Sequence, residues 1–217
     1  MFLTLLFTFV PPFAILAFIF LSDKFREPAG MVFSTFVLGF LLILPAGILN
    51  EFLIFSKENP RDYVFLAGLT EETLKFAALF FFIRKRVEFN EPMDAIVYGT
   101  TISLGFATYE NYEYVFLYNE DLSSLAVAGI RSVTAIPLHA CCGILMGYNF
   151  GLYFLSKSKK FLFRSIAIPI LLHSLYNYVD NILLMFVIII LAVITCLYLH
   201  KGFVREQRNK VSEREFN

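Results

Sequence analysis

Apolar residues run along this chain in blocks of about twenty, separated by short polar punctuation. A helix of that length matches the hydrocarbon thickness of a bilayer. Seven blocks are predicted as transmembrane helices, over roughly residues 2–21, 31–55, 63–83, 93–118, 124–155, 162–179 and 182–200. The fifth is too long for one perpendicular crossing and is expected to tilt, protrude or break near Pro137. Pro11 and Pro12 are expected to bend or break the first. That first block lacks the basic start and small-residue cleavage site of a signal peptide, so it reads as a retained helix. From Lys201 the chain turns charged and supports no eighth span, and residues after about Val211 are expected to fray. The predicted fold is all-α, a polytopic transmembrane helix bundle. Residues 1–200 form a single integral membrane domain and residues 201–217 a basic tail.

Composition agrees with this pattern. Of 217 residues, 58% are hydrophobic and 17% charged, the latter below the roughly 25% of soluble domains. A formal net charge of zero argues against a nucleic-acid partner. Cys141, Cys142 and Cys196 lie in apolar stretches without CxxC spacing, which reads as packing and not as disulfides or a thiolate metal site. Position is more informative than net charge. Fourteen Lys and Arg residues fall in the first, third and fifth loops and the tail, against only Lys57 and Arg61 in the loops of the other side. The positive-inside rule then places the N-terminus outside and the C-terminus in the cytoplasm.

Charged groups inside a bilayer cost at least about 2.5 kcal/mol each, so those within the apolar blocks are candidates for chemistry. The third block holds Glu71, Glu72 and Lys75, with the lysine one helical turn from either carboxylate. Taken alone, this reads equally as a structural ion pair. The fourth holds Glu110 and Asn111, which alone would pass for a polar helix end, since Glu113 and Glu120 follow. The fifth holds His139, and the sixth His173 and Asn177 on one face; each histidine alone could be an interhelical hydrogen bonder. Gly143, Gly147 and Gly151 form a small-residue stripe suited to helix packing. With the predicted topology, Glu71 lies about 12 Å deep from the outer face at 1.5 Å per residue. Glu110 lies at a similar depth, His173 slightly shallower and His139 deeper. Ionisable groups on four helices thus meet in the outer half of the bilayer, as one site would require.

Glu and His are acid–base residues, and Asn and His can stabilise an oxyanion. No Ser-based nucleophile pattern and no HExxH occurs, and Asp94 sits at a helix start, away from this level, so an aspartyl dyad is unsupported. A carboxylate-activated water attacking a carbonyl fits the inventory without a cofactor. A zinc held by His139, His173 and a glutamate is the alternative, since two histidines and a glutamate form a known catalytic zinc set.

Four strings, EETLK (Glu71, Glu72, Lys75), FATYEN (Phe106, Glu110, Asn111), HACCG (His139, Gly143) and HSLYN (His173, Asn177), resemble the motifs of the PrsW family of bacterial intramembrane proteases, within the larger group that includes the CAAX prenyl proteases. The flanking strings SLGFATYEN, DAIVYG and FREP also look like that family, so the resemblance covers most of the chain. The CAAX pattern has EExxxR where this chain has Lys75 three residues after Glu72, which favours the PrsW branch. The resemblance implies a glutamate-dependent protease, also described as a metalloprotease. It implies the first, extracytoplasmic-side cut in a single-pass anti-sigma factor, which leads to release of an extracytoplasmic-function sigma factor in a stress response. It also implies residence in a bacterial cell membrane, with the lipid bilayer and the single-pass substrate as partners.

The expected mechanism makes Glu71 or Glu72 the general base, with Glu71 preferred for its four-residue spacing to Lys75. His139 orients or shares the proton, His173 and Asn177 donate to the oxyanion, and Glu110, Asn111, Phe106 and Lys75 support them. A base of this kind must be deprotonated, so activity is expected to fall at acidic pH. Alternatives are a CAAX-type prenyl protease, a non-enzymatic membrane scaffold of the same superfamily, and a proton-coupled transporter, against which the lack of inverted repeats counts. The oligomeric state is not legible in the sequence.

Overall fold

The computed structural model describes residues 1–118 and 122–215. Glu120 and the last two residues of the tail lie outside them. The described residues are almost wholly helical: α1 (Phe2–Ser22), α2 (Ala29–Leu41), α3 (Ile43–Asn50) with a π-helical turn Glu51–Phe55, α4 (Leu66–Ala78) with a π-helical turn Leu79–Ile83, α5 (Pro92–Phe116), α6 (Ser124–Val133), α7 (Ala135–Ser156), α8 (Lys159–Tyr178) and α9 (Ile182–Glu215). A short 3₁₀ turn, Pro60–Tyr63, precedes α4.

Prolines place two of the helix breaks. A proline ring clashes with the carbonyl four residues earlier. Pro137 therefore opposes helix at Val133, and α6 ends there; Thr134 leaves the helical region with φ −124° and ψ −78°. Of the tilt, protrusion or break expected of the fifth block, the structure has a break, three residues before Pro137, which becomes part of the first turn of α7. Pro45 does the same to Leu41, where α2 gives way to α3. In contrast, α1 runs unbroken through Pro11 and Pro12. α9 continues as helix past Lys201 to Glu215, docked by Phe203 against Tyr148 (ring centroids 4.9 Å apart) and by buried Gln207.

α5 is the central helix. Every residue from Pro92 to Thr108 is buried, and α7, α2 and α1 pack around it. Its start is fixed by Pro92 at the first position and by a reciprocal capping box between Glu91 and Asp94. Small residues let its neighbours approach backbone to backbone. A Cβ at Gly147 would overlap Ala95 O, and one at Gly143 would stand 2.7 Å from Gly99 O. The glycine stripe of α7 is therefore the seam between α5 and α7. The three cysteines are buried and free.

Four helical segments are long and apolar enough to cross a membrane: Phe2–Ser22, Ala29–Phe55, Ser124–Ser156 and Ile182–Asn209. They make this a multi-pass membrane protein. α4, α5 and α8 carry the ionisable and amide residues of the candidate site within their helical stretches.

Candidate active site

The site is assembled where α4, α5, α7 and α8 converge. α4 presents Glu71, Glu72 and Lys75, all buried. Lys75 Nζ bonds Glu72 Oε1 at 2.7 Å and stands 3.7 Å from Glu71 Oε2. The i,i+4 pairing expected between Glu71 and Lys75 is therefore the looser of the two, and Glu72 is the lysine's partner. Lys75 also donates to His139 Nδ1 (3.0 Å) and lies 4.1 Å above the Phe106 ring, a cation–π contact that replaces part of its lost hydration. Because an ammonium can only donate, His139 Nδ1 is the acceptor and its Nε2 carries the hydrogen. Nε2 then donates to Glu110 Oε2 at 2.9 Å.

α8 reaches the same centre through a close crossing with α4. Gly68 has no room for a Cβ, which would sit 2.5 Å from Ser174 N. That contact brings His173 Nδ1 to 2.9 Å from Glu72 Oε1 and leaves His173 Nε2 3.9 Å from Glu71 Oε2. The two imidazoles meet edge to face, with centroids 4.9 Å apart. Ser174 Oγ donates to Phe65 O at 2.7 Å, and Asn177 Nδ2 reaches Val64 O at 3.4 Å, tying α8 to the turn that starts α4.

Several residues outside the sequence-derived set complete the network. Arg131 of α6 donates to Glu110 Oε2 (2.6 Å) and to Asn111 Oδ1 (2.8 Å), with its guanidinium over Tyr114. Asn111 in turn donates to Thr8 O of α1. Asn50 Nδ2 approaches Glu71 Oε1 at 3.4 Å, and its Oδ1 accepts from Thr70. The signal for Arg131 was present, because it is a charged residue within an apolar block. Asn50, Thr70 and Thr8 are neutral and gave none.

Charge pairing separates the three glutamates. Glu72 is matched by Lys75 and Glu110 by Arg131, so Glu71 is the carboxylate without a close cation of its own. Its Oε2 is buried and has no hydrogen-bond partner among the described residues. Glu71 is also the one of the EE pair that reaches open space. A cavity of about 700 Å³ is lined by Glu71, Glu110, Arg131, His139, His173 and Asn177, whereas Glu72 and Lys75 lie behind it.

The same residues suit a metal ion. Glu71, Glu72, His139 and His173 each offer a ligand atom within 4.8 Å of the others'. Carboxylate oxygen with two imidazole nitrogens is a donor set that zinc accepts, and the unsatisfied Glu71 oxygen is the kind of atom an ion would satisfy.

Comparison with known proteins identifies the family. Residues 27–199 match the family described as PrsW family intramembrane metalloprotease. The Protease PrsW of Oceanobacillus iheyensis is 34% identical over 176 residues, covering 78% of this chain and 79% of that protein. Those of Halalkalibacterium halodurans (35% over 173 residues; 77% and 78%) and Bacillus subtilis (33% over 178 residues; 78% and 78%) are similar. No solved structure matches. With a buried Glu–His–Lys network opening on a cavity among its helices, and with this similarity over most of its length, the chain is a protease belonging to the PrsW family of intramembrane metalloproteases.

Proposed function

We propose that this protein makes the first cut in a single-pass anti-sigma factor on the extracytoplasmic side of a bacterial cell membrane, which leads to release of an extracytoplasmic-function sigma factor. The observation that carries this reading is the placement of the cavity. It is bounded by Glu51 and Phe55 of the α3 π-turn, by Arg61, and by Tyr114 and Tyr118 at the end of α5. The distribution of Lys and Arg assigns these ends to the outside. The same reading makes α4, α5 and α8 membrane spans, for seven in all, with the N-terminus outside, the C-terminus in the cytoplasm and residues 201–217 as a cytoplasmic basic tail.

In the proposed reaction, a substrate segment enters the cavity and Glu71 takes a proton from a water as that water attacks the scissile carbonyl. Glu72 is the carboxylate that holds Lys75 and His173 in place. His139, held at Nδ1 by Lys75, turns its Nε2 from Glu110 to the water, orients it and relays its proton towards the leaving amine. His173 and Asn177 line the cavity from one side of α8; as an imidazolium with Nδ1–H held by Glu72, His173 donates Nε2–H, beside Asn177 Nδ2, to the oxygen of the tetrahedral intermediate. Where a zinc is held by Glu71, His139 and His173, it supplies Lewis acidity and a more acidic bound water. Glu110, Asn111 and Phe106 keep His139 and Lys75 in register in either case.

The reading is tested by reconstituting the protein with a tagged single-pass anti-sigma factor and mapping the new terminus by mass spectrometry. A cut in the outer half of the substrate's span, or just outside it, is expected; a cut at its cytoplasmic end contradicts the assignment. Arg131 provides a second test. Arg131→Ala should slow cleavage by at least about tenfold through loss of the grip on Glu110. Arg131→Lys should recover little, because one ammonium cannot span Glu110 and Asn111 as the guanidinium fork does. Wild-type rates in the lysine variant would remove Arg131 from the account.

A further inference from the structure

FREP and DAIVYG take no part in the site above, yet they meet at the other end of α5. Glu27 of the first string accepts from Tyr98 of the second, which stands one helical turn after Asp94. Asp23, which ends α1, and Glu91, which starts α5, join them. One carboxylate oxygen from each of Asp23, Glu91 and Asp94 lies within 4.8 Å of the other two. Gln207 of α9 donates to Asp23 Oδ1 (2.8 Å) and to Glu91.

This cluster is buried: Asp94 is 0% exposed, Asp23 2% and Glu27 5%. Among the described residues, the donors that reach Asp23, Glu27 and Asp94 are neutral. They are the amides of Phe25, Asn90 and Glu91, the Gln207 side chain and the Tyr98 hydroxyl. After these bonds, Asp23 Oδ2 and Asp94 Oδ1 remain buried with no partner. Buried carboxylates so placed are costly unless a cation or a proton neutralises them.

We propose that Asp23, Glu91 and Asp94, with Glu27 beside them, bind one hard divalent cation, Mg²⁺ or Ca²⁺, that fastens the ends of α1 and α5 to α9. The all-oxygen donor set selects such ions over zinc or copper. Oxygens on opposite sides of a Ca²⁺ at about 2.4 Å stand about 4.8 Å apart, so three oxygens within that separation are close enough for one ion to reach them all. The site is separate from the Glu71–His139–His173 cluster and does not depend on the function proposed above.

The full-length protein in detergent, stripped with EDTA, is titrated with Mg²⁺, Ca²⁺ or Mn²⁺ while unfolding is followed by a thiol-reactive dye that reports exposure of the buried cysteines. A saturable rise in midpoint of about 5 °C is expected for wild type and for Glu71→Gln/Glu72→Gln. The rise should be absent from Asp23→Asn and from Asp94→Asn. Mn²⁺ paramagnetic resonance, which needs no variant of this cluster, should count one tightly held ion that persists in the Glu71→Gln/Glu72→Gln protein. No bound Mn²⁺ in that protein, or a midpoint shift that survives in both aspartate variants, overturns the proposal. So does an Asp94→Asn protein that matches cation-loaded wild type without any cation, since a proton shared by two carboxyls would then be what holds the cluster.

Discussion

Glu71→Gln is expected to lower the cleavage rate by about 10²–10⁴-fold, the range for loss of a positioned general base, while leaving the unfolding midpoint close to that of wild type. The reason lies in its surroundings. Glu71 lines the cavity, its Oε2 has no hydrogen-bond partner, and its nearest cation is 3.7 Å away. A glutamine there keeps shape and can still take the Asn50 contact, but it cannot accept a proton. Glu72→Gln should behave differently. It replaces the oxygen that bonds both Lys75 (2.7 Å) and His173 (2.9 Å), so it should lower stability as well as rate. Paired rate and melting measurements on the two single variants separate these outcomes. Equal melting losses in both would show that the two carboxylates are not divided between chemistry and support.

The second large effect concerns Lys75. It is fully buried, and its ammonium neutralises Glu72 while donating to His139 and resting on Phe106. Lys75→Met keeps the volume and removes the charge. Breaking one half of a buried ion pair typically costs about 3–5 kcal/mol, because the remaining charge is left uncompensated. A loss of this size should appear as a strongly lowered midpoint for Lys75→Met. The double variant Lys75→Met/Glu72→Gln should recover much of it, since no unpaired charge remains. Cleavage should stay low in the double variant, because His139 and His173 have both lost a fixed neighbour. A Lys75→Met protein as stable as wild type would mean that the Glu72–Lys75 pair is not what balances charge in this core.

Much of the site was legible because a bilayer makes polar residues conspicuous. Glu71, Glu72, Lys75, Glu110, His139 and His173 stood out against apolar neighbours, and all of them meet at one centre. The division of labour within the EE pair was not legible. Spacing alone gave Lys75 access to both carboxylates, and the choice of Glu72 depends on side-chain geometry set by His139 and Phe106 on other helices. Arg131 carried a signal, but the position of the break in its block was not legible, so its direction could not be read. The break at Thr134, forced by Pro137, is what turns α6 into a separate arm that delivers the guanidinium to Glu110. Asn50 and Thr70 could not be found from sequence, since a neutral polar residue at a helix end is ordinary. The helical tail was missed for a related reason. Its charged composition hides two buried positions, Phe203 and Gln207, that bind it to the bundle.

The most direct test of the account is cleavage in proteoliposomes that hold a single-pass anti-sigma factor with either the wild-type protein or Glu71→Gln/Glu72→Gln, each with and without a zinc chelator. The account predicts cleavage by wild type and none by the double variant, with the chelator lanes showing whether a metal takes part. Cleavage of equal extent by both proteins would contradict it, because the cluster at the heart of this bundle would then not be where the peptide bond is broken.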